Sequence, residues 1–219
     1  GLSDESYFKQ VVPMIKEMKE PFYTMTVTLT SHAPFNIPEE YRELGLDEEL
    51  NENKLGGYIE SVHYTDKQIG KFLELLENEG ILENSIVVFM GDHTGVHKYY
   101  NDDISKLSNQ EEWFQDNGGR RVPVIIYDPS QKAVPQTIET FGGQIDMMPT
   151  VLYLLGIPSD EYNMTCMGRN LLNTEKSFAI IVNGSIKGEE NLTEDEKTIV
   201  SKSLDISDKM IRANYNPYN

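Results

Sequence analysis

The sequence has little of three things: cysteine, basic side chains and long apolar runs. Cys166 is the one cysteine among 219 residues, so no disulfide forms within the chain and cysteine content identifies no redox compartment. The 19 lysines and arginines stand against 36 aspartates and glutamates, which gives a formal net charge of -17. Because nucleic acids bind basic surfaces, this balance argues against nucleic acid as a partner. It also disfavours docking to a bare anionic membrane surface.

No apolar run approaches the ~20 residues that a membrane helix needs. The chain opens on Gly1 rather than methionine and shows no signal peptide, so we expect an excised piece of a longer protein. What is present is ordinary for a globular protein, with 38% hydrophobic and 25% charged residues. The length suffices for one sizeable domain.

Hydrophobic patterning predicts helices and strands in alternation, and therefore an α/β fold. Apolar residues at helical spacing predict helices over 1–20, 57–79, 146–156 and 193–211. Runs rich in β-branched and aromatic residues predict strands over 22–30, 85–90, 121–129 and 177–183. The strand–helix–strand order between 22 and 90 favours a parallel pair. The polar stretch 36–56 is expected to be a surface loop or a short helix, and the stretch 101–119 a long polar loop.

Two polar residues with metal-binding chemistry follow the strand predicted at 85–90. Asp92 and His93 come directly after it, between Gly91 and Gly95. Ligands in open α/β sheets bind outside the carboxyl ends of the strands, and a carboxylate and an imidazole there can share one cation. A strand followed by an ordinary polar turn explains the same residues, so both interpretations stay open on the pattern alone.

Further candidates lie near predicted strand and helix ends. His32 follows the strand at 22–30, where a structural loop histidine is the plain alternative to a functional one. His97 is close enough to His93 to face the same crevice, and the rim of a site and the protein surface both suit it. Asp146 opens a helix, so we expect its carboxylate to cap that helix; a third metal ligand is the alternative.

Four segments in this order and spacing resemble the alkaline phosphatase/sulfatase superfamily, in its lipoteichoic acid synthase and phosphoglycerol transferase branch. They are Leu29–Phe35 (LTSHAPF), Tyr58–Asp66 (YIESVHYTD), Gly91–His93 (GDH) and Gly142–Thr150 (GGQIDMMPT). The resemblance extends to about Asn183. It implies that residues 1–183 are the C-terminal portion of a sulfatase-like catalytic domain, with 184–219 as a polar, helical extension.

The resemblance implies a fold and a set of site residues. The fold is an alkaline-phosphatase-like three-layer α/β/α arrangement with a mostly parallel sheet, here as an incomplete C-terminal portion. Asp92 and His93 would hold a divalent metal, Mn²⁺ or Mg²⁺, with Zn²⁺ or Ca²⁺ as alternatives. His32 would contact the substrate's phosphate, and His97 is a second candidate for substrate contact.

The implied function is that of a phosphoglycerol transferase on the extracytoplasmic face of a bacterial membrane, anchored by membrane helices absent from this chain. It would move glycerophosphate from a phosphatidylglycerol-like lipid to an acceptor hydroxyl through a covalent intermediate. The nucleophile, a threonine in this branch, is expected in the N-terminal half of the catalytic domain, which this chain lacks, so the fragment alone should be inactive. Cys166 lacks the Cys/Ser-x-Pro-x-Arg pattern of a sulfatase nucleophile. A sulfatase or phosphodiesterase is the alternative, and a non-catalytic binding domain on the same fold is another.

Overall fold

The computed structural model describes residues 2–109, 121–128 and 135–215. The chain divides into two compact units, Gly1–Ala133 and Val134–Asn219. Among the described residues, no helix is both long and apolar enough to span a bilayer. Helices and strands occur in both units, as the predicted α/β class requires.

Two helices of the first unit lie close to those predicted, α1 (Asp4–Lys16) and α3 (Lys54–Asn78). Two shorter ones are α2 (Glu48–Glu52), within the stretch predicted as a loop or short helix, and α4 (His97–Ile104). The Ser3 side chain caps α1 by accepting the Ser6 N–H. Gly80 follows α3 with a φ of +69°, the left-handed conformation that glycine adopts readily at helix ends. The helix α4 replaces the start of the loop predicted at 101–119, and residues 110–119 of that loop lie outside the described residues.

Two strands of the first unit pair with each other in the antiparallel sense. Strand β1 (Val87–Met90) is antiparallel to β2 (Val124–Tyr127), with Val87 opposite Tyr127. Residues 22–29 are extended but pair with no strand in the described parts of the chain, so the predicted parallel pair with β1 is not formed there. Strand β1 is only partly buried, since Met90 is 43% exposed.

The first unit has two hydrophobic cores, which we call the first and the second core. The first core joins α1 and α3 and consists of Phe8, Val12, Ile15, Phe72, Leu76 and Leu82. Its centre is a stacked pair of rings, Phe8 and Phe72, whose centroids are 4.5 Å apart. Phe22 and two residues of β1, Val87 and Phe89, pack against it. The second core consists of Phe35, Leu55, Val96, Ile104 and Leu107.

A buried carboxylate ties the extended residues to the helices. Asp4, at the start of α1, is 1% exposed and accepts the backbone N–H groups of Leu29 and Thr30 at 3.0 and 3.1 Å. Its other oxygen accepts the Thr65 hydroxyl of α3 at 2.8 Å. Buried carboxylates need such donors, and Asp4 thereby fixes the end of the extended stretch that leads to His32.

The second unit contains α5 (Met147–Leu154), β3 (Ala179–Ile180), β4 (Ile186–Lys187) and α6 (Glu194–Arg212). The strands β3 and β4 form an antiparallel pair, so the strand predicted over 177–183 is much shorter than expected. Lys176 forms an ion pair with Glu196 of α6 at 3.3 Å, and the Asn191 amide donates to the Ser177 carbonyl at 2.9 Å. The predicted division after Asn183 stays a prediction.

Candidate active site

The candidate site begins where β1 ends. Gly91 extends the pairing with the neighbouring chain, because its N–H donates to the Pro123 carbonyl at 3.0 Å. A Cβ at Gly91 would lie 3.0 Å from side-chain atoms of both Pro123 and Val122, so the close approach favours glycine. The two predicted metal ligands, Asp92 and His93, follow directly.

Asp92 and His93 turn polar atoms towards each other. The Asp92 Oδ2 atom lies 3.5 Å from His93 Nε2, and Asp92 Oδ1 accepts the His93 backbone N–H at 2.9 Å. His93 Nδ1 lies 2.8 Å from the Thr94 carbonyl oxygen. Because a carbonyl oxygen only accepts hydrogen bonds, Nδ1 carries the proton and Nε2 of the neutral ring keeps its lone pair. Two acceptor atoms therefore face each other, an arrangement that favours a proton or a metal cation between them.

His32 reaches the same place from a distant part of the sequence. Its ring centroid lies 6.5 Å from that of His93, with the two planes inclined at 70°. The His32 backbone N–H donates to the Leu29 carbonyl at 3.1 Å, and His32 Nδ1 lies 2.9 Å from the Ala33 carbonyl oxygen. Because the Ala33 carbonyl accepts the hydrogen bond from Nδ1–H, Nε2 is the His32 ring atom left for a ligand. The structure thus brings together three of the five candidate residues that the sequence singled out, namely His32, Asp92 and His93.

The second core includes residues that follow both loops of the site: Phe35 follows the His32 loop, and Val96 follows the Asp92–His93 loop. The Phe35 ring meets Tyr58 and Tyr100 edge-on, with centroids 5.2 and 5.9 Å apart. A Cβ at Gly95 would lie 2.5 Å from the Tyr58 ring, so only glycine allows this approach. Burial raises the pKa of Tyr58, which therefore serves as a neutral packing group. Packing between these rings fixes the His32 loop against the Asp92–His93 loop.

The other candidate for substrate contact, His97, lies on the first turn of α4. Its Nδ1 atom is 3.1 Å from Asn101 Oδ1, one turn further along the helix. The ring beside His93 is instead that of Tyr99, with centroids 6.4 Å apart, and the Lys98 ammonium lies 5.1 Å from the Tyr99 centroid. Sequence analysis missed Tyr99, whose only signal was a pair of tyrosines after His97. A role for His97 in substrate contact stays a prediction.

Residues 1–157, well over half of the chain, match the sequence model of the sulfatase family. The chain belongs to the sulfatase family. Within the alkaline phosphatase/sulfatase superfamily it resembles the lipoteichoic acid synthases, which confirms the branch that the four sequence segments indicated.

Two curated relatives and one solved structure show the extent of this similarity. The sulfatase-family chain is 34% identical over 190 residues to the lipoteichoic acid synthase-like protein YvgJ of Bacillus subtilis, over 84% of this chain and 30% of YvgJ. It is 33% identical over 163 residues to lipoteichoic acid synthase 1 of the same organism, over 74% of this chain and 25% of that protein. The lipoteichoic acid synthase LtaP from Listeria monocytogenes superposes with a TM-score of 0.70 at 27% identity, over 96% of this chain and 59% of that chain. The chain therefore spans less than a third of the length of these curated relatives.

Members of the superfamily generally use divalent metals, and the Asp92–His93 pair fits one. Protein ligands lie about 2.0–2.2 Å from an ion such as Zn²⁺, so donor atoms 3.5 Å apart can both reach one cation. The bond between His93 Nδ1–H and a backbone carbonyl is the support that metal-bound histidines usually have. Within residues 2–109, 121–128 and 135–215, no group of three or more histidine, cysteine, aspartate or glutamate side chains could hold a metal. The described part of this sulfatase-family chain therefore offers two ligands.

Asp146, the alternative third ligand, caps the helical turn before α5 rather than α5 itself. Its side chain makes no capping bond to α5. The carboxylate, 3% exposed, accepts the Gly143 N–H at 2.9 Å, at the start of the 3-10 turn Gln144–Asp146 that leads into α5. It also accepts the Arg169 N–H at 2.7 Å and pairs with the Arg169 guanidinium at 3.2 Å. Asp146 is a structural anchor of the second unit.

Cys166 also lies in the second unit, and its environment suppresses thiolate formation. Burial is the main reason that the pKa of the Cys166 thiol is raised, and the thiol sulfur lies 3.7 Å from the Gly168 carbonyl oxygen. A nucleophilic cysteine needs the opposite shift. The structure agrees with the sequence in giving Cys166 no nucleophilic role.

Proposed function

We propose that this chain is part of an extracytoplasmic, metal-dependent phosphoglycerol transferase of the lipoteichoic acid synthase type. The observation that carries the proposal is the meeting of His32, Asp92 and His93, which come from two separate segments of a chain similar to those synthases. The proposed donor is a phosphatidylglycerol-like lipid, and the proposed acceptor is a hydroxyl group. The nucleophile, the remaining metal ligands and the membrane anchor are expected in parts of the protein outside this chain.

The roles of the two metal-binding residues follow from their atoms. Asp92 Oδ2 and His93 Nε2 would hold one divalent cation, Mn²⁺ or Mg²⁺. When bound, such a cation neutralises phosphate charge and lowers the pKa of a coordinated hydroxyl. The Thr94 carbonyl keeps the proton on His93 Nδ1 and thereby holds Nε2 ready to coordinate.

His32 is the proposed contact for the substrate's phosphate. Its Nδ1–H is directed at the Ala33 carbonyl, which leaves Nε2 as the ring atom for a partner outside this loop. In the protonated ring, Nε2–H would donate a charge-assisted hydrogen bond to a phosphate oxygen.

The first prediction concerns metal binding by the purified chain. We expect Mn²⁺ to bind weakly, because the described residues offer only two ligands. Asp92→Asn and His93→Gln should each lower that affinity at least about tenfold, since each removes a metal-binding atom. Titration calorimetry would measure the affinity, with Asp102→Asn and His63→Gln as matched controls that should bind like the wild-type chain.

Equal Mn²⁺ affinity in all five proteins would contradict the assignment of Asp92 and His93. The reaction itself is tested in the intact protein, where either substitution should abolish turnover of phosphatidylglycerol. The product separates transfer from hydrolysis: glycerophosphate attached to an acceptor supports the transferase, and free glycerophosphate alone supports a phosphodiesterase.

A further inference from the structure

A cavity of about 620 Å³ lies in the second unit, beside α5 and the loop that follows it. Pro149, Tyr153 and Gly156 contribute to its lining at the spacing of residues that share one face of a helix. The rest of the lining comes from the segment 157–173. We call this space the α5 cavity. Its volume is that of a small-molecule site, for which roughly 300–1,000 Å³ is usual.

The lining of the α5 cavity carries no charged side chain among the described residues, although 25% of the residues of the chain are charged. Asp160 and Glu161 belong to the same loop but not to the lining. The Arg169 guanidinium has other partners, since it donates to the Lys176 and Phe178 carbonyls at 2.7 and 2.6 Å. Phosphates bind to basic side chains, and metal ions bind to several carboxylate, imidazole or thiolate groups. The cavity therefore suits an uncharged ligand.

Polar side chains nevertheless surround the α5 cavity. Asn170 uses only its Oδ1 atom, which accepts the Leu172 N–H at 3.0 Å, so its amide N–H groups stay available. Amides and hydroxyls together can both donate and accept hydrogen bonds, which is what a ligand with many hydroxyl groups needs. Within the described parts of the chain, five other side chains of the lining make no hydrogen bond, and they are Tyr153, Ser159, Tyr162, Asn163 and Asn173.

Two tyrosines add apolar surface beside these polar groups. Tyr153 is 49% exposed, so part of its ring is free to meet a ligand, and Tyr162 is half-buried. A pyranose ring has the same mixed character, because its C–H groups form an apolar face and its hydroxyls project from the rim. Aromatic rings cover such a face while nearby polar groups bind the hydroxyls. A purely apolar ligand, such as a lipid tail, would instead leave the amides without partners.

The lining is held in place by buried contacts at the start of α5. A Cβ at Gly168 would lie 2.0 Å from the Ile145 carbonyl oxygen, so the chain here passes close to the turn before α5. The Leu171 N–H donates at 3.0 Å to the hydroxyl of Thr150, which is 2% exposed. A cavity whose wall is already fixed costs a ligand less ordering free energy than a gap between loose loops.

We propose that the α5 cavity binds a neutral carbohydrate of one or two pyranose rings. Tyr153 and Tyr162 would pack on the sugar. Ser159, Asn163 and Asn170 would form hydrogen bonds with its hydroxyls. The proposal goes beyond the proposed function and does not rest on it, because no residue of the Asp92–His93 site takes part. Plain and N-acetylated sugars share this chemistry, and the test distinguishes them.

The test is a titration of the isotope-labelled chain with maltose and with chitobiose, followed through the side-chain amide signals of Asn163, Asn170 and Asn173 in NMR spectra. At least one sugar should shift these signals with a Kd of about 1 mM or tighter. The ratio of the two affinities identifies the preferred class of sugar. Maltose 6′-phosphate is the charged comparison and should bind at least about tenfold more weakly than maltose, because no basic side chain meets its phosphate.

Substitutions assign the binding to the α5 cavity. Tyr153→Ala should weaken binding of the preferred sugar at least about tenfold, whereas Tyr215→Ala, at a tyrosine 53% exposed in the second unit, should not. Asn163→Ala, in the exposed part of the loop, should weaken it about fivefold through a lost hydrogen bond. This second variant keeps the test decisive if Tyr153→Ala does not fold.

Absence of amide shifts with both disaccharides would overturn the proposal, as would equal affinity in the wild-type chain and the two cavity variants. Equal affinity for maltose and its phosphate would overturn the neutral class of ligand. The titration is repeated on the intact protein, where loss of binding would mean that another part of the protein covers the cavity and would also overturn it. None of these readouts needs metal or turnover, so their outcome is independent of the proposed reaction.

Discussion

Phe35 is the residue on which the geometry of the site most depends. It is 3% exposed, so its ring fills the second core, and its φ of +59° turns the chain three residues after His32. Few residues other than glycine adopt that backbone conformation, so the packing of the ring must hold it. Its carbonyl oxygen also lies where a Cβ of Gly57 would be, only 2.4 Å away. One side chain thus links the His32 loop to α3 and α4.

Phe35→Ala should therefore disturb both stability and the site. The loss of a buried ring should lower the free energy of unfolding by about 3–5 kcal/mol. The His32 and His93 ring signals in a proton–carbon NMR spectrum should shift, because the two loops lose their common support. Phe141→Ala is the control, since Phe141 is 41% exposed in the second unit. Unchanged histidine signals in a folded Phe35→Ala protein would mean that other contacts hold the loops.

The sequence predicted those site residues that lie in a recognisable local pattern of residues. Asp92 and His93 follow an apolar strand directly, and His32 was found through a segment typical of the family. Tyr99 was missed because its position beside His93 depends on the turn between β1 and α4, which no local pattern specifies. The contact between Asp146 and Arg169 was missed for a similar reason, since the two residues are 23 positions apart in the sequence.

At the scale of elements, periodic helices were the most predictable part. The helices α1, α3 and α6 lie where apolar spacing and end residues placed them, because both signals are local. A strand also needs a neighbouring strand to pair with, and its own residues do not specify which one. The run at 22–30 therefore has the alternation of a strand without pairing as one, and β1 pairs with β2 rather than with that run.

The start of α6 offers a prediction at this scale. Thr193 Oγ1 accepts the Glu196 N–H at 3.3 Å, and Glu196 Oε2 accepts the Thr193 N–H at 2.8 Å, a reciprocal cap. Thr193→Ala should lower the free energy of unfolding of the second unit by about 1 kcal/mol. Chemical denaturation followed by circular dichroism measures this, and Thr198→Ala inside the helix should cost less. An equal cost for both would argue against the cap.

The whole molecule is strongly acidic, and the proposed substrate is an anionic lipid. The formal charge of -17 opposes adsorption to an anionic surface, whatever the local chemistry of the site. If the proposed function is correct, contact with the lipid depends on groups outside this chain, on the metal and on His32. The net negative charge would then repel most of the chain's surface from the anionic membrane, and only the region around the metal and His32 would contact the lipid.

This predicts how the chain behaves with lipid vesicles. At low ionic strength and without metal, it should stay in the supernatant when phosphatidylglycerol vesicles are pelleted, because like charges repel. Phosphatidylcholine vesicles serve as the uncharged comparison. Pelleting with phosphatidylglycerol alone would reveal a local basic surface strong enough to overcome the net charge.

Cys166 allows the second unit to be followed by itself in a thiol-labelling experiment. It is the one thiol of the sequence, it belongs to the second unit, and burial both hinders reagents and raises its pKa. The rate at which a thiol reagent labels Cys166 therefore reports the exposure of this part of the second unit, since the sequence of the first unit, Gly1–Ala133, contains no cysteine that competes. Changes around His32 and His93 in the first unit can be timed against that rate in the same sample.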